Sequence, residues 1–392
     1  MKKVAVIGCG VMGHGIAQVL AMGGCQVFML DVNEEALRRA LEKIKWSLNK
    51  LAIKGSIKQE DVNRTLASIA TTTRYERALE ETDLAIEAVP EDLALKREVF
   101  AKLDMVAPPH TILASNTSTL SITELGRATR RPQKVAGMHF LNPPQLTSVI
   151  EVVKGEETSW DTIEMLANLA KKIGKIPVIV RKDVRGFIVN RILGAVFNEV
   201  FWTFYRGEVT KEEVDASLKY KGGFITGLFE MADYIGLGML YTFLKNLHET
   251  YGERFKLCTQ IIEPLLRANR LGKETGYGFY DWKKGKPQVS LKPHGNYDIE
   301  RFWAVAVNEA AWLIYDDAAG PSDIDMAMKK GISWPSGPCE YADRIGLDKV
   351  LNKLRECHAM FGLELYKPCP LLDEYVNRGW LGKKTRRGFC NY

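Results

Sequence analysis

The chain has 392 residues, of which 46% are hydrophobic and 26% are charged. These proportions are ordinary for a folded globular protein and exclude a disordered chain or a fibre, and the length allows two or three domains. The net charge of +6 is spread along the chain without a dense block of lysine and arginine, so nothing predicts nucleic-acid binding.

The seven cysteines are odd in number and show no Cys-x-x-Cys spacing. They predict neither a disulfide framework nor a metal site, and a reducing, cytoplasmic compartment fits best. The first strand starts directly after the opening Met-Lys-Lys, so we expect no targeting peptide. The most apolar helix candidate, 187–205, contains charged residues, which predicts a buried helix and no membrane segment.

The first element is a short apolar strand, Val4 to Ile7, followed by a glycine-rich loop and a helical run. The first glycine of the loop permits a tight turn, the second lets the backbone approach a pyrophosphate, and the third lets the helix pack on the strand. A bare Gly-x-Gly-x-x-Gly spacing could be a structural turn, but its place between a strand and a helix favours a dinucleotide site. We expect cofactor contacts at Gly8, Gly10, Val11, Met12 and Gly13.

The second strand, Gln26 to Leu30, ends in Asp31. A carboxylate at this place accepts from both hydroxyls of an adenosine ribose and repels a 2′-phosphate, so Asp31 predicts NAD rather than NADP. The long helix that follows, Glu34 to Ala52, carries Ser47 and leads to Lys54. Lysines along one edge of a helix are usually only a solvated face.

Further strands alternate with helical or loop segments, which predicts an α/β domain with a doubly wound, mostly parallel sheet and a ligand at the carboxyl ends of its strands. The candidates are Ala67 to Ala70, Leu84 to Ala88, Thr111 to Ala114 and Ile176 to Val180. The segment Glu87 to Glu91 lies at one such strand end, with Pro90 placed to start the next helix, and Ser115 to Ser118 lie at the next strand end. The short polar side chains at 115–118 could cap a helix at Ile122 to Leu125, the more common role, or hold a substrate hydroxyl.

Two apolar runs, Val135 to His139 and Val149 to Val153, flank a loop containing Asn142-Pro143-Pro144. They read as two strand ends joined by a rigid turn, which would bring His139 close to Glu151. An imidazole can take a proton near pH 7, and a carboxylate at its other nitrogen fixes the tautomer and stabilises the charged form. A capped or surface histidine is the ordinary alternative.

The second half of the chain repeats itself at an offset of 110 residues. Matching residues include Asn198-Glu199 with Asn308-Glu309, Asp215 with Asp325, Gly227 with Gly337, Asp233 with Asp343, and Gly278-Phe279 with Gly388-Phe389. A register held this long predicts a tandem duplication of a helical unit. We expect domains at 1–183, 184–282 and 299–392, with a linker at 283–298. The fused copies would form an intramolecular pseudo-dimer, so we expect a monomeric chain with one active site.

These residues together resemble the L-3-hydroxyacyl-CoA dehydrogenase family over essentially the whole chain. The shared motifs are Gly-x-Gly-x-Met-Gly-x-Gly-Ile-Ala from Gly8, Glu-Ala-Val-x-Glu from Glu87, Ser-Asn-Thr-Ser from Ser115, His-Phe-x-Asn-Pro from His139, Glu-Val from Glu151, and Gly-Phe-Ile-Val-Asn-Arg from Gly186. The resemblance implies a Rossmann-type NAD domain followed by helical domains, with the duplicated form known from archaeal and multifunctional members.

The resemblance also implies roles in catalysis. His139 would be the general base that removes the proton of the 3-hydroxyl while the nicotinamide takes hydride from C3, and Glu151 would orient and charge it. Ser118 would hold the reacting oxygen, and Asn190 would position the thioester end of the substrate.

Binding roles are implied in the same way. Glu91, Lys96 and Asn142 would contact the nicotinamide half of NAD, with Asp31 on the adenosine. Ser47 and Lys54 match the family's contacts to coenzyme A, so they would bind the substrate.

Three departures from the family pattern are visible. The family's Pro-x-Gly-Pro is kept in the second copy at Pro335 to Pro338, but the first copy reads Ile225 to Leu228 as Ile-Thr-Gly-Leu. Many members have Met-Lys where this chain has Thr147-Ser148. A family lysine that contacts the cofactor falls on Glu274 in the first copy and on Lys384 in the second.

The resemblance predicts an NAD-dependent oxidoreductase that oxidises (3S)-3-hydroxyacyl-CoA, of short or medium chain, in fatty acid β-oxidation or in the reverse direction. Two alternatives stay open from the sequence. One is a related dehydrogenase of a free hydroxy acid or sugar acid such as gulonate. The other is a non-catalytic NAD-binding protein of the crystallin kind.

Overall fold

A computed structural model of the chain describes residues 1–290 and 296–392. The chain divides into two compact units, Met1–Phe187 and Ile188–Tyr392. Of the predicted linker at 283–298, residues 291–295 lie outside the described residues.

In Met1–Phe187, which is described throughout, eight strands form one sheet. They are β1 (Lys3–Ile7), β2 (Gln26–Leu30), β3 (Ile69–Thr72), β4 (Leu84–Glu87), β5 (Ile112–Ser115), β6 (Val135–Phe140), β7 (Val149–Lys154) and β8 (Ile176–Val180). Their order is β3-β2-β1-β4-β5-β6-β7-β8. All neighbouring strands are parallel except β6 and β7, so β7 and β8 run opposite to the other six strands. The predicted doubly wound, mostly parallel sheet is confirmed, with its order reversing at β1, where such folds bind ligands.

The helices of this unit are α1 (Val11–Met22), α2 (Glu34–Ile53), α3 (Gln59–Ala67), α4 (Tyr75–Leu79), α5 (Leu93–Val106), α6 (Ile122–Gly126) and α7 (Trp160–Lys172). β4 and β5 are buried along their whole length, as expected for parallel strands covered on both faces. β3 starts at Ile69 rather than at Ala67, because α3 runs through Ala67 and the Ser68 amide still bonds to helix carbonyls.

The start of α5 also differs from the expectation that Pro90 begins the helix. The helix begins at Leu93, because the Asp92 carboxyl caps it by accepting from the Leu95 amide at 2.8 Å. Such a cap satisfies one of the backbone amides that the first turn leaves without an intrahelical partner. Pro90 therefore lies in the loop between β4 and α5.

The described part of the second unit contains two matching sets of helices. The first set is α8 (Val189–Tyr205), α9 (Lys211–Ala216), α10 (Leu228–Ile235), α11 (Leu237–Tyr251) and α12 (Thr259–Arg267); the second is α13 (Ile299–Tyr315), α14 (Pro321–Met326), α15 (Pro338–Ile345), α16 (Leu347–Phe361) and α17 (Pro370–Asn377). The first four helices of each set have bounds 110 residues apart. The sequence repeat is therefore a repeat of structure.

Residues shared by the two copies hold the same contacts in each. Asp215 accepts from two amides in the first turn of α10 at 3.0 and 2.9 Å, and Asp325 accepts from the matching amides of α15 at 2.8 and 2.9 Å. A Cβ on Gly227 or Gly337 would lie 2.1 Å from the facing carboxyl group. The carboxylate and the glycine must therefore recur together if the helix start is to be kept.

Helices α8 and α13 pack against each other through buried ion pairs. Arg191 of α8 pairs with Glu309 of α13, and Arg301 of α13 lies 3.2 Å from Glu199 of α8. The two arginines are 110 residues apart, and so are the two glutamates. Each ion pair therefore repeats the other with the copies exchanged.

Among the residues that the structure describes, no helix has the length and apolarity needed to cross a lipid bilayer. The same residues contain no cluster of His, Cys, Asp and Glu side chains that could hold a metal ion. All seven cysteines are free thiols.

Candidate active site

The turn between β1 and α1 has the geometry that its three glycines predict. Gly8 has φ of +91°, and a Cβ there would lie 2.7 Å from the Ala88 carbonyl oxygen. A Cβ on Gly13 would lie 1.8 Å from the Gly8 carbonyl oxygen, whereas a Cβ on Gly10 would meet nothing within 4 Å. The open space at Gly10 lies at the N-terminus of α1, where a pyrophosphate can approach the backbone. The loop therefore fits a dinucleotide.

Asp31 lies at the carboxyl end of β2, beside this loop. Its carboxylate accepts from the Cys9 amide at 2.8 Å, which fixes the acid next to the glycines, where an adenosine ribose would lie. Val11 and Met12 follow in the first turn of α1, the first exposed and the second half-buried. The structure thus brings together the residues predicted for the adenosine and pyrophosphate.

A buried hydrogen-bond network joins the ends of β4 and β5. Glu87, the last residue of β4, accepts from Lys96 and from the Ser115 hydroxyl, each at 2.6 Å. Burial raises the pKa of Glu87 above its ordinary value, against the effect of Lys96. Burial also acts to raise the pKa of Glu91, but the charge of Lys96 and donors from 117–119 outweigh it and hold that pKa below its usual value. Glu91 therefore carries a negative charge at neutral pH.

Lys96 is a supporting residue in this network. Its side chain is 1% exposed, and its ammonium lies within reach of Glu87 (2.6 Å), the Val89 carbonyl oxygen (3.1 Å) and Glu91 (3.3 Å). The ammonium donates to Glu87 and to the Val89 carbonyl oxygen, and it forms an ion pair with Glu91. Lys96 thus holds Glu91, the second residue predicted to contact the nicotinamide half of NAD, in place.

His139 and Glu151 lie directly opposite each other in the antiparallel pair of β6 and β7. Nδ1 of His139 is 2.6 Å from Oε2 of Glu151, and both residues are buried. The ring of Phe187 packs against the imidazole with 5.6 Å between centroids. A proton on Nδ1 that is donated to the carboxylate leaves the lone pair on Nε2, where it can accept a proton.

The last residue of β5 and the three residues after it, 115–118, differ in their hydrogen bonds. Three side chains bond to neighbouring segments, and one bonds to none of the described residues. Asn116 accepts from the Phe140 amide at 2.9 Å, and Thr117 donates to Glu91; together with Ser115 they tie β5 to β4 and β6. The half-buried hydroxyl of Ser118 bonds to none of the described residues, while its amide donates to Glu91 at 3.1 Å. That hydroxyl can therefore serve a ligand.

The remaining predicted residues are spread over both units. Asn142 is exposed just after the end of β6, Ser47 lies in the last two turns of α2, and Lys54 is the C-cap of that helix. Asn190 belongs to the second unit, half-buried in the first turn of α8. Lys384, at the position of the family's cofactor lysine, pairs with Asp348 at 2.6 and 2.7 Å.

Sequence reasoning placed Glu87, Ser115 and Asn116 at strand ends but assigned none of them a supporting role of its own. One signal was present for Glu87, since a carboxylate that ends an otherwise apolar strand will be buried and needs a cationic partner. The lysine that satisfies it lies nine residues later on the following helix. For Asn116 the partner is a backbone amide of a distant strand, which no local pattern indicates.

Comparison with known proteins gives matches along nearly the whole chain. The family model described as 3-hydroxyacyl-CoA dehydrogenase, NAD binding domain, matches residues 3–184, and the model of the C-terminal domain matches residues 186–282 and 298–392. The mitochondrial hydroxyacyl-coenzyme A dehydrogenase of Sus scrofa is 41% identical over 289 residues, covering 72% of this chain and 92% of that protein.

Two bacterial proteins extend the comparison. A probable 3-hydroxybutyryl-CoA dehydrogenase of Bacillus subtilis is 39% identical over 285 residues, covering 72% of this chain and 98% of that protein. The crystal structure of 3-hydroxybutyryl-CoA dehydrogenase from Escherichia coli superposes with a TM-score of 0.90 at 29% identity, covering 96% of this chain and 98% of that one. The last match includes both helical copies.

Proposed function

Since the chain belongs to the 3-hydroxyacyl-CoA dehydrogenase family and is an NAD-dependent oxidoreductase, we propose that His139 is its general base and Glu151 the acid that orients it. The reaction is the reversible oxidation of a (3S)-3-hydroxyacyl-CoA to the 3-ketoacyl-CoA. The observation that carries the proposal is the buried contact of 2.6 Å between His139 Nδ1 and Glu151 Oε2.

The proton transfer follows from this geometry. NAD, when bound, accepts the hydride from C3. Nε2 of His139 takes the proton of the 3-hydroxyl, and the Glu151 carboxylate stabilises the imidazolium that forms; in the reductive direction the imidazolium returns the proton to the carbonyl oxygen. No step requires Glu151 to become protonated.

Ser118 and Asn190 position the substrate in this proposal. The Ser118 hydroxyl donates to the reacting oxygen, a role supported by its lack of any partner among the described residues and by the fixed backbone that its amide bond to Glu91 provides. Asn190 holds the thioester end. Both act by restricting the substrate to productive geometries.

NAD would lie along the carboxyl edge of the sheet. Gly8, Gly10, Val11, Met12 and Gly13 would contact the pyrophosphate, because Gly10 opens on free space at the start of α1. Glu91, Lys96 and Asn142 would contact the nicotinamide half.

Replacing Asp31 with serine should raise the KM for NAD roughly 10- to 100-fold, the range expected when hydrogen bonds to a charged group are lost. The same change should improve the use of NADP, because the carboxylate no longer repels a 2′-phosphate. Initial rates with both cofactors measure the two effects. Asp161→Ser, which removes an exposed acid in the first turn of α7, is the control. Unchanged constants for both cofactors in Asp31→Ser would remove Asp31 from the ribose.

Coenzyme A would be held at Ser47 and Lys54. The acyl group of the substrate would be of short or medium chain length. The assay that tests the activity is NADH oxidation with 3-ketoacyl-CoAs of increasing chain length. NADPH in place of NADH is one comparison, and oxidation of gulonate with NAD is the other. Turnover of gulonate without turnover of acetoacetyl-CoA would favour a free sugar acid. The chain-length profile would show whether Ile225 to Leu228, which replace the family's Pro-x-Gly-Pro, widen the choice of acyl chain.

We also propose that the two helical copies, 184–282 and 299–392, form an intramolecular pseudo-dimer that follows the NAD domain, 1–183. The support is the exchange of partners in the ion pairs Arg191–Glu309 and Arg301–Glu199, since a two-fold interface makes each contact twice. The chain should then be a monomer by light scattering, and an obligate dimer held by these helices would contradict the proposal. The seven free thiols support a cytoplasmic location.

A further inference from the structure

One face of the end of α2 combines an exposed indole with positive charge. The side chain of Trp46 is 63% exposed, and the ammonium of Lys50 lies 4.6 Å from its ring centroid. Ile53 on the same face is 86% exposed. Large apolar side chains are normally withdrawn from water, so a face that displays two of them is suited to binding a flat apolar group.

The lysines on this face have no carboxylate partner among the residues that the structure describes. Arg38, which precedes Lys43 on the same helix, lies 2.7 Å from Glu35 and 2.5 Å from Glu42. By contrast, none of Lys43, Lys50 and Lys54 forms an ion pair with any carboxylate in the described parts of the chain. Lysines that repeat at helical spacing around an aromatic ring make a site for an anion that carries an aromatic base.

Resting on the coenzyme A contacts in the proposed function, we propose that Trp46 stacks on the adenine base of the acyl-CoA substrate. Ser47 and Lys54 are the two predicted contacts to coenzyme A. Lys50 is a helical neighbour of both and of Trp46, because it lies four residues after Trp46, three after Ser47 and four before Lys54, the C-cap of α2. The 3′-phosphate and pyrophosphate of coenzyme A would be the anionic partners of Lys43 and Lys50. A second copy of the chain would present the same positive face and be repelled.

The subsite makes Trp46 a residue for binding and not for chemistry. It lies on α2, whereas the proposed base lies on β6. Loss of the indole should therefore raise the KM for acyl-CoA substrates and leave kcat and the KM for NADH, which binds at the glycine loop, as they are. A stacked base contributes binding that is independent of the acyl group.

The test compares two substrates in Trp46→Ala. The KM for acetoacetyl-CoA should rise about 10-fold, the size expected on losing one stacked base, while the KM for acetoacetyl-pantetheine, which has no adenosine, should stay the same. Trp160→Ala is the matched control, because Trp160 is 55% exposed with Lys154 5.8 Å from its ring, yet lies on α7. It should change neither KM.

Two further measurements separate stacking from other causes. Trp46→Phe should keep most of the affinity for acetoacetyl-CoA. Adenosine 3′,5′-diphosphate should quench the tryptophan fluorescence of this variant less than it quenches that of the wild type. An equal rise in KM for both substrates, or no rise for either, would overturn the stacking proposal. Failure of the proposed function would look different, since the wild type would then turn over neither substrate.

Discussion

Replacing His139 with alanine should lower kcat by about 10²- to 10⁴-fold, the usual contribution of a positioned acid or base. The affinity for NADH should hardly change, because the glycine loop and Asp31, which would hold the cofactor, belong to other segments of the sheet. Single-turnover rates with acetoacetyl-CoA, and NADH titration in the absence of substrate, measure the two quantities separately. His110→Ala, at a histidine with a side chain 58% exposed, is the control and should behave as the wild type.

Glu151→Gln tests the other half of the pair. The amide has nearly the shape of the carboxylate, but it is neutral and carries N–H donors, so it no longer stabilises an imidazolium and can reverse the tautomer of His139. We expect kcat to fall toward that of His139→Ala, while Glu156→Gln, at an exposed residue that pairs with Arg127, should leave it unaltered. Full turnover in either His139→Ala or Glu151→Gln would show that the proton is moved by some other group.

Replacing Glu309 with alanine should lower the free energy of unfolding of the second unit by about 3–5 kcal/mol, the cost of breaking a buried ion pair from one side. Arg191 is fully buried, and burial opposes its charge, but Glu309, Tyr251 and Asp316 raise its pKa above the ordinary value. Without Glu309, the partners left to the guanidinium among the described residues include the Asp316 carboxylate at 2.9 Å and the Tyr251 ring, whose centroid is 4.7 Å away. Urea unfolding followed by tryptophan fluorescence measures the loss.

A double replacement distinguishes the ion pair from simple loss of packing. Arg191→Met combined with Glu309→Leu removes both charges and keeps volume, so it should unfold at a higher urea concentration than Glu309→Ala. Glu374→Ala, at an exposed residue 2.7 Å from Arg378 on α17, should cost only about 0.3–0.5 kcal/mol. A double variant as unstable as Glu309→Ala would show that the charges are not what couples the two copies.

Much of the first unit could be predicted because its signals are local. Alternating apolar and helical segments predicted the sheet, and the glycines predicted the loop. Gly8 and Gly13 leave no room for a Cβ, and Gly10 lies at the start of α1, where a pyrophosphate can approach the backbone. The errors were at element ends. α5 starts at Leu93 and not at Pro90, because the cap on Asp92 outweighs the preference of proline for a first turn.

The pairing of His139 with Glu151 could also be predicted, although the two residues belong to different strands. His139 and Glu151 are 12 residues apart, and the turn between their strands sets the register, so their meeting could be expected from the sequence. The burial of Lys96 could not be expected from the sequence. A lysine on a predicted helix is ordinarily solvated, and only the position of Glu87 at the end of another element draws it inward.

The sequence by itself determined the order of the elements, the dinucleotide loop, the duplicated helices and the residues able to carry the chemistry. These follow from spacing along the chain, which fixes the turn, the helical face or the strand to which a residue belongs. The tertiary structure decided which polar side chains support one another. Glu87 holds Lys96 and Ser115, and Arg191 meets Glu309 in the other copy. The physical reason is that a buried charge takes its partner from whatever element packs beside it, and that neighbour is set by the packing of the whole chain.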